Sequence, residues 1–176
     1  MRVVTGRLVA CEAIACVALV ACPDVLAAQK LEDMTVGQLM ATIEPKAMAD
    51  ALKAICIDHL GDAEAQAREA TSLRWGFVPT EDNAPGERRF IKWPARLTVK
   101  AQSCTVSSAV NTSTTQKLAA RDIASVLNLG ELTDRKEPVS WTTNFGGRQA
   151  RVFWSLIKLP GQTRAYLAVY TEKARR

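Results

Sequence analysis

The chain has 176 residues, a formal charge of +5, one histidine and five cysteines. An apolar share of 48% supplies enough side chain for a packed core and excludes an intrinsically disordered chain. The single histidine and the absence of a C-x-x-C pair argue against a metal site, and no Walker A loop or dinucleotide fingerprint points to a bound cofactor.

Arg2 and Arg7 precede an apolar run, Ala13 to Ala21, which Pro23 breaks before the small-residue signal Val25-Leu26-Ala27. This pattern looks like a bacterial secretory signal peptide over residues 1–27, and the run is too short for a membrane-spanning helix of about 20 residues. A rival reading takes Leu19-Val20-Ala21-Cys22 as a lipoprotein box, with Cys22 acylated and the chain anchored to a membrane through it alone. Cleavage after Ala27 or Ala28 is favoured, because Pro23 then falls where a cleavage region begins. The mature chain, 28–176, fits a single domain placed in the periplasm or secreted. Cys11, Cys16 and Cys22 lie in the export segment, which leaves Cys56 and Cys104 as the remaining thiols. In an oxidising compartment these two are expected to pair.

The mature sequence is electrically divided. Residues 28–87 carry 5 Lys and Arg against 11 Asp and Glu, a net of −6, whereas 88–176 carry 16 against 5, a net of +11. The acidic part reads as helical. Thr35 and Gln38 form a capping box ahead of Val36, Leu39, Met40 and Ile43, and Pro45 ends that helix. Pro45 also opens a second helix, whose stripe of Met48, Leu52, Ile55 and Leu60 stops at Gly61. Asp62 caps a third helix, Ala63 to Trp75, closed by Gly76.

After a polar loop from Thr80 to Glu87, Arg89 to Trp93 and Ala95 to Ala101 read as strands interrupted by Pro94. Cys104 to Val110 follows, either through a Gln102-Ser103 turn that sets Val99 against Val106 or as one bulged continuous strand. A fourth helix spans Thr115 to Leu129, with Leu118, Ala119, Ile123, Val126 and Leu127 inward and Gly130 as its stop. Glu131 to Glu137 is a charged loop.

The C-terminal stretch has the clearest register. A Gly146-Gly147 turn sets Trp141 opposite Val152 and Val139 opposite Trp154, and a Pro160-Gly161 turn sets Val152 against Val169 and Trp154 against Leu167. Both turns place Val139, Trp141, Phe145, Val152, Trp154, Leu156, Leu167 and Val169 on one face, so this is a three-stranded meander with a core side. The order of elements implies an α+β fold: an antiparallel sheet of about five strands, ending in that meander, with about four helices on one face.

His59, beside Asp58 near a helix end, is the one imidazole available as a base, and Asp58, Asp62 and Glu64 are close in sequence. Each has a local explanation as a cap or a charge near a helix terminus, and no G-x-S-x-G context supplies a nucleophile. An envelope hydrolase with residues gathered from distant positions is the alternative to a non-catalytic binding domain. The constellation of interest is the far side of the meander, where alternation sends Arg151, Phe153, Tyr166, Tyr170 and Arg164. Cations among aromatics on one sheet surface suit an acidic envelope protein or an anionic polymer. Nucleic acid is disfavoured, because export separates the chain from it and no recognition motif is present.

Overall fold

In the computed structural model, which describes residues 41–130 and 138–171, period-two alternation in the basic part of the sequence becomes most of a seven-stranded antiparallel sheet, whose first strand, two residues long, precedes that part. Its strands are β1 (Val78–Pro79), β2 (Glu87–Lys92), β3 (Ala95–Lys100), β4 (Ser103–Val110), β5 (Val139–Phe145), β6 (Arg148–Leu159) and β7 (Gln162–Thr171). They lie in the order β1-β2-β3-β4-β7-β6-β5, so two meanders meet along a β4–β7 seam. Three helices occur among the described residues: α1 (Pro45–Ala51), running directly into a π-helical stretch Leu52–Ile57, then α2 (Ala63–Thr71) and α3 (Gln116–Leu127). The class is α+β. The described residues all belong to one unit, within Thr35–Arg176.

The Gly146-Gly147 register is the one the sequence implies. Val139 faces Trp154, Trp141 faces Val152, and across the next hairpin Val152 faces Val169 and Trp154 faces Leu167. Both glycines of the first turn have positive φ, 56° and 83°, the left-handed region that a two-residue hairpin link demands and that side chains resist. The result is a core in which Trp141 is 1% exposed and Trp154 is sealed.

The helices pack on this one face. α1 and the π stretch lie against β4 and β7, α2 against β3 and β1, and α3 against β6 and α1. Met48, Leu52 and Ile55 form the buried stripe of α1 and the π stretch, each at most 1% exposed, and burial of such side chains contributes about 1.5–3 kcal/mol apiece. Pro45 stands in the first turn of α1, where its missing N–H costs nothing. The Asp62 carboxylate accepts from the Ala65 N–H at 2.9 Å and caps α2. Arg88, on the core side of β2, forms a two-pronged ion pair with Glu64 and ties α2 to the sheet. Cys56 and Cys104 are buried, bonded through their sulfurs, with Cα atoms 5.8 Å apart, so the pair staples the π stretch to β4.

Several boundaries differ from the sequence reading. Seven strands replace about five, for two reasons. The chain from 95 to 110 is neither a bulged strand nor a hairpin about Gln102-Ser103. It turns at Ala101-Gln102, which sets Val99 against Cys104 and Leu97 against Val106. That register is displaced by two from the expected one, so the apolar face is preserved and the sequence pattern cannot distinguish them. In addition, Val78–Pro79 pairs with Ile91 and Phe90 as a strand too short to carry a periodic signal. The Trp93-Pro94 pair forms the turn between β2 and β3, with its peptide bond cis.

α2 stops at Thr71 rather than Trp75. The Thr71 hydroxyl donates to the Ala67 and Arg68 carbonyls, Ser72 leaves helical geometry, and Gly76 closes the following turn by donating its N–H to the Ser72 carbonyl at 2.8 Å. α3 stops at Leu127 with Asn128 in the left-handed region, ahead of the expected Gly130. Leu118 is exposed rather than inward: Ala119, Ile123 and Leu127 share the buried line at four-residue spacing, and Leu118 sits one residue, about 100°, off it. Of the first expected helix, Ile43 is not helical and donates its N–H to the Ala109 carbonyl at 2.9 Å beside β4. The Thr35-Gln38 capping box, the export segment with Cys22, and the Glu131 to Glu137 loop lie outside the described residues.

Candidate ligand-binding face

The far side of the sheet carries no described helix, and the ladder registers fix what it presents. Across the strands from β2 to β5, one row runs Glu87, Lys100, Ser103, Tyr170, Arg151, Thr142. The next runs Arg89, Thr98, Thr105, Ala168, Phe153, Ser140, and the third Ile91, Arg96, Ser107, Tyr166, Ser155. Arg164 follows on β7, opposite Ile157 and Ala109. Both tyrosines of the chain therefore stand on this face.

The charge is one-sided. In these positions five cations, Arg89, Arg96, Lys100, Arg151 and Arg164, face one carboxylate, Glu87. Glu87 is shared by Lys100, whose ammonium lies 2.8 Å away, and by Arg89. Those two partners, Lys100 first, hold the Glu87 carboxyl below its ordinary range. No described carboxylate pairs with Arg96, Arg151 or Arg164. Arg151 instead lies over the Phe153 ring, 5.9 Å from its centroid, a cation–π arrangement that holds the guanidinium while leaving its N–H groups to solvent or ligand.

A concavity of about 490 Å³ opens in the middle of the face. Its origin is the outward sequence of β7: Tyr166, Ala168, Tyr170, large, small, large. Ala168 is the floor, 5% exposed, flanked by Thr105 on β4 and Phe153 on β6. Phe153 meets Tyr170 edge to face, with ring centroids 5.2 Å apart and planes at 87°, which fixes the orientation of that wall. Ser155, Arg151 and Pro138, which stands just before β5, complete the lining.

Of the residues singled out from sequence, Arg151, Phe153, Tyr166 and Tyr170 therefore converge on one depression. Arg164 shares the face but not the depression. Sequence reasoning missed Arg89, Arg96 and Lys100, and also the Thr105–Ala168 floor. The alternation within ERRFIK and ARLTVK gives their direction, but only the β4–β7 seam puts them beside the tyrosines.

A second, larger cleft of about 710 Å³ lies where the end of the π stretch, the end of α3 and the β5–β6 hairpin meet. It contains Asp58, His59 and Asp62. Asp58 is exposed and accepts from Lys53 at 3.4 Å, Asp62 is exposed and occupied with its cap, and Arg148 donates across the cleft to the Leu60 carbonyl at 2.5 Å. The Ala65 N–H, foremost, holds the Asp62 carboxyl below its usual range. A general acid at neutral pH needs the opposite shift, which burial away from water produces. Among the described residues, no group of three or more His, Cys, Asp and Glu is arranged to hold a metal.

Neither a family model, nor a curated protein, nor a solved structure matches the chain.

Proposed function

We propose that this protein is an exported, non-catalytic binding domain of the bacterial envelope, released by cleavage near Ala27 and engaging an anionic partner through the outer face of its sheet. The observation that carries the reading is the combination on that face: an aromatic-walled depression, open to solvent, with Arg151 at its edge free of any described carboxylate. Charge alone gives weak attraction that salt screens over about 8–10 Å. Aromatic walls add area and orientation, and a guanidinium adds a fork that matches a carboxylate, sulfate or phosphate.

The test is retention of the protein on immobilised dextran sulfate along a salt gradient. Arg151→Glu is expected to lower the eluting salt concentration clearly more than Lys46→Glu, which makes the same charge change at an exposed position of α1. Equal losses from the two variants would show a diffuse charge effect and overturn the assignment of this face.

A further inference from the structure

We propose that the occupant of the outer-face depression is an acidic saccharide: a pyranose ring seated on Ala168 between Tyr166 and Tyr170, with a carboxylate or comparable anionic substituent on Arg151. This rests on the binding role given above to the same face and names its ligand class.

The shape comes first. Tyr166 and Tyr170 are four residues apart on one strand, roughly 13 Å at the strand rise, and both point outward with only the Ala168 methyl between them. A notch of this width accepts a pyranose ring lying on the floor, its C–H face stacked on one tyrosine while the other bounds the far end. The apolar C–H faces of a sugar suit aromatic walls, and its hydroxyls need polar partners around the edge. Those partners are present. Thr105 and Ser107 on β4 and Ser155 on β6 are half-buried hydroxyls bordering the floor on both sides of β7. Tyr170 is held by its edge-to-face contact with Phe153, so its face need not be ordered on binding.

Charge then selects among saccharides. Arg151 stands directly across from Tyr170 and is positioned by the Phe153 ring, so a carboxylate on the seated ring meets a guanidinium already in place. Arg96 and Arg164, beyond the Tyr166 side, carry the same sign along the direction a polymer would continue. An acidic protein is the poorer occupant. The backbone groups beneath the depression are committed to the β4–β7–β6 ladders, leaving no free edge there for strand addition.

The experiment is calorimetric titration of the full protein with three probes: an α-1,4-linked galacturonic acid tetramer, its methyl-esterified form, and a glutamic acid oligomer of equal charge. Binding of the uronate is expected to exceed that of the glutamate oligomer at least tenfold and to weaken on esterification. Ala168→Leu, which fills the floor without changing charge, should reduce uronate affinity at least tenfold, as should Tyr166→Ala, with thermal unfolding confirming that each variant is folded. Uronate and glutamate oligomers binding equally, with Ala168→Leu silent, would overturn the saccharide assignment while leaving an anion-binding face intact. Binding of both probes that Arg151→Glu does not affect, or binding of neither, would overturn the face itself.

Discussion

Replacing Trp154 by alanine tests the architecture at its centre. Trp154 is fully buried on β6, paired with Val139 on one side and Leu167 on the other. Removing a buried tryptophan costs about 3–5 kcal/mol, because transfer energy is lost and the surroundings collapse only in part. A domain of this size is stable by about 5–15 kcal/mol in total, so the change consumes a large share and lowers the melting temperature by roughly 6–20 °C. A second substitution sharpens the reasoning. Among the described residues the Trp154 indole N–H meets no acceptor, and the Gln116 side chain bonds the Trp154 backbone carbonyl at 3.1 Å rather than its ring. Trp154→Phe therefore removes volume without breaking a hydrogen bond and should cost only about 1–2 kcal/mol. Urea unfolding of the three proteins at unchanged slope gives the values. A loss below about 1 kcal/mol for Trp154→Ala, or a Trp154→Phe variant as weak as the alanine one, would show that this face is not the close-packed core described.

Reduction of the Cys56–Cys104 pair should lower stability by about 4 kcal/mol, the loop-closure value for a sequence separation of 48; thiol titration of the unreduced, denatured protein should find neither cysteine free, and two reactive thiols would contradict the staple. The protein should also lose stability in acid. The Asp62, Glu64 and Glu87 carboxyls all lie below their ordinary range, through the Ala65 N–H, Arg88 and Lys100 respectively. Their contribution is therefore complete above the unfolded-state values near ~4 and is lost as pH falls through the lower folded-state values. Melting temperature followed from pH 7 downward should drop below about pH 4, and Glu64→Gln should flatten the drop; an unchanged profile would mean the Arg88–Glu64 pair does not hold the folded state.

Local chemistry carried the sequence reading as far as it went. The Gly146-Gly147 and Pro160-Gly161 turns each connect adjacent strands through two residues, so chain geometry alone fixes the pairing of β5, β6 and β7. Asp62 announces its helix because a cap needs a particular side chain at a particular place, and the fourth helix, read as starting at Thr115, proves to be capped by that residue's hydroxyl. The hairpin at Ala101-Gln102 was misplaced because neither it nor Gln102-Ser103 contains a residue specific to a turn. The site was half legible for a related reason. Alternation gives the side on which Arg151, Phe153, Tyr166 and Tyr170 lie, yet Thr105, Ser107 and Arg96 join them only through the pairing of β4 with β7. That pairing is a tertiary event with no local signature.

The seam also bears on when a binding-competent molecule exists. Every other ladder in the sheet joins strands that follow one another along the chain, whereas β4 and β7 pair residues about 50–70 positions apart, from Val110 with Thr163 to Ser103 with Tyr170. Closing a loop of that length costs roughly 3–4 kcal/mol before its contacts form, and topologies that depend on such contacts fold slowly. The depression crosses the seam through Thr105 on β4, whereas Arg151, Phe153, Ser155, Tyr166, Ala168 and Tyr170 lie on β6 and β7, so docking of the two meanders closes one side of a site that the C-terminal meander otherwise carries. Ligand affinity should consequently rise when the two halves of the sheet dock, and a bound ligand that reaches Thr105 should slow their separation.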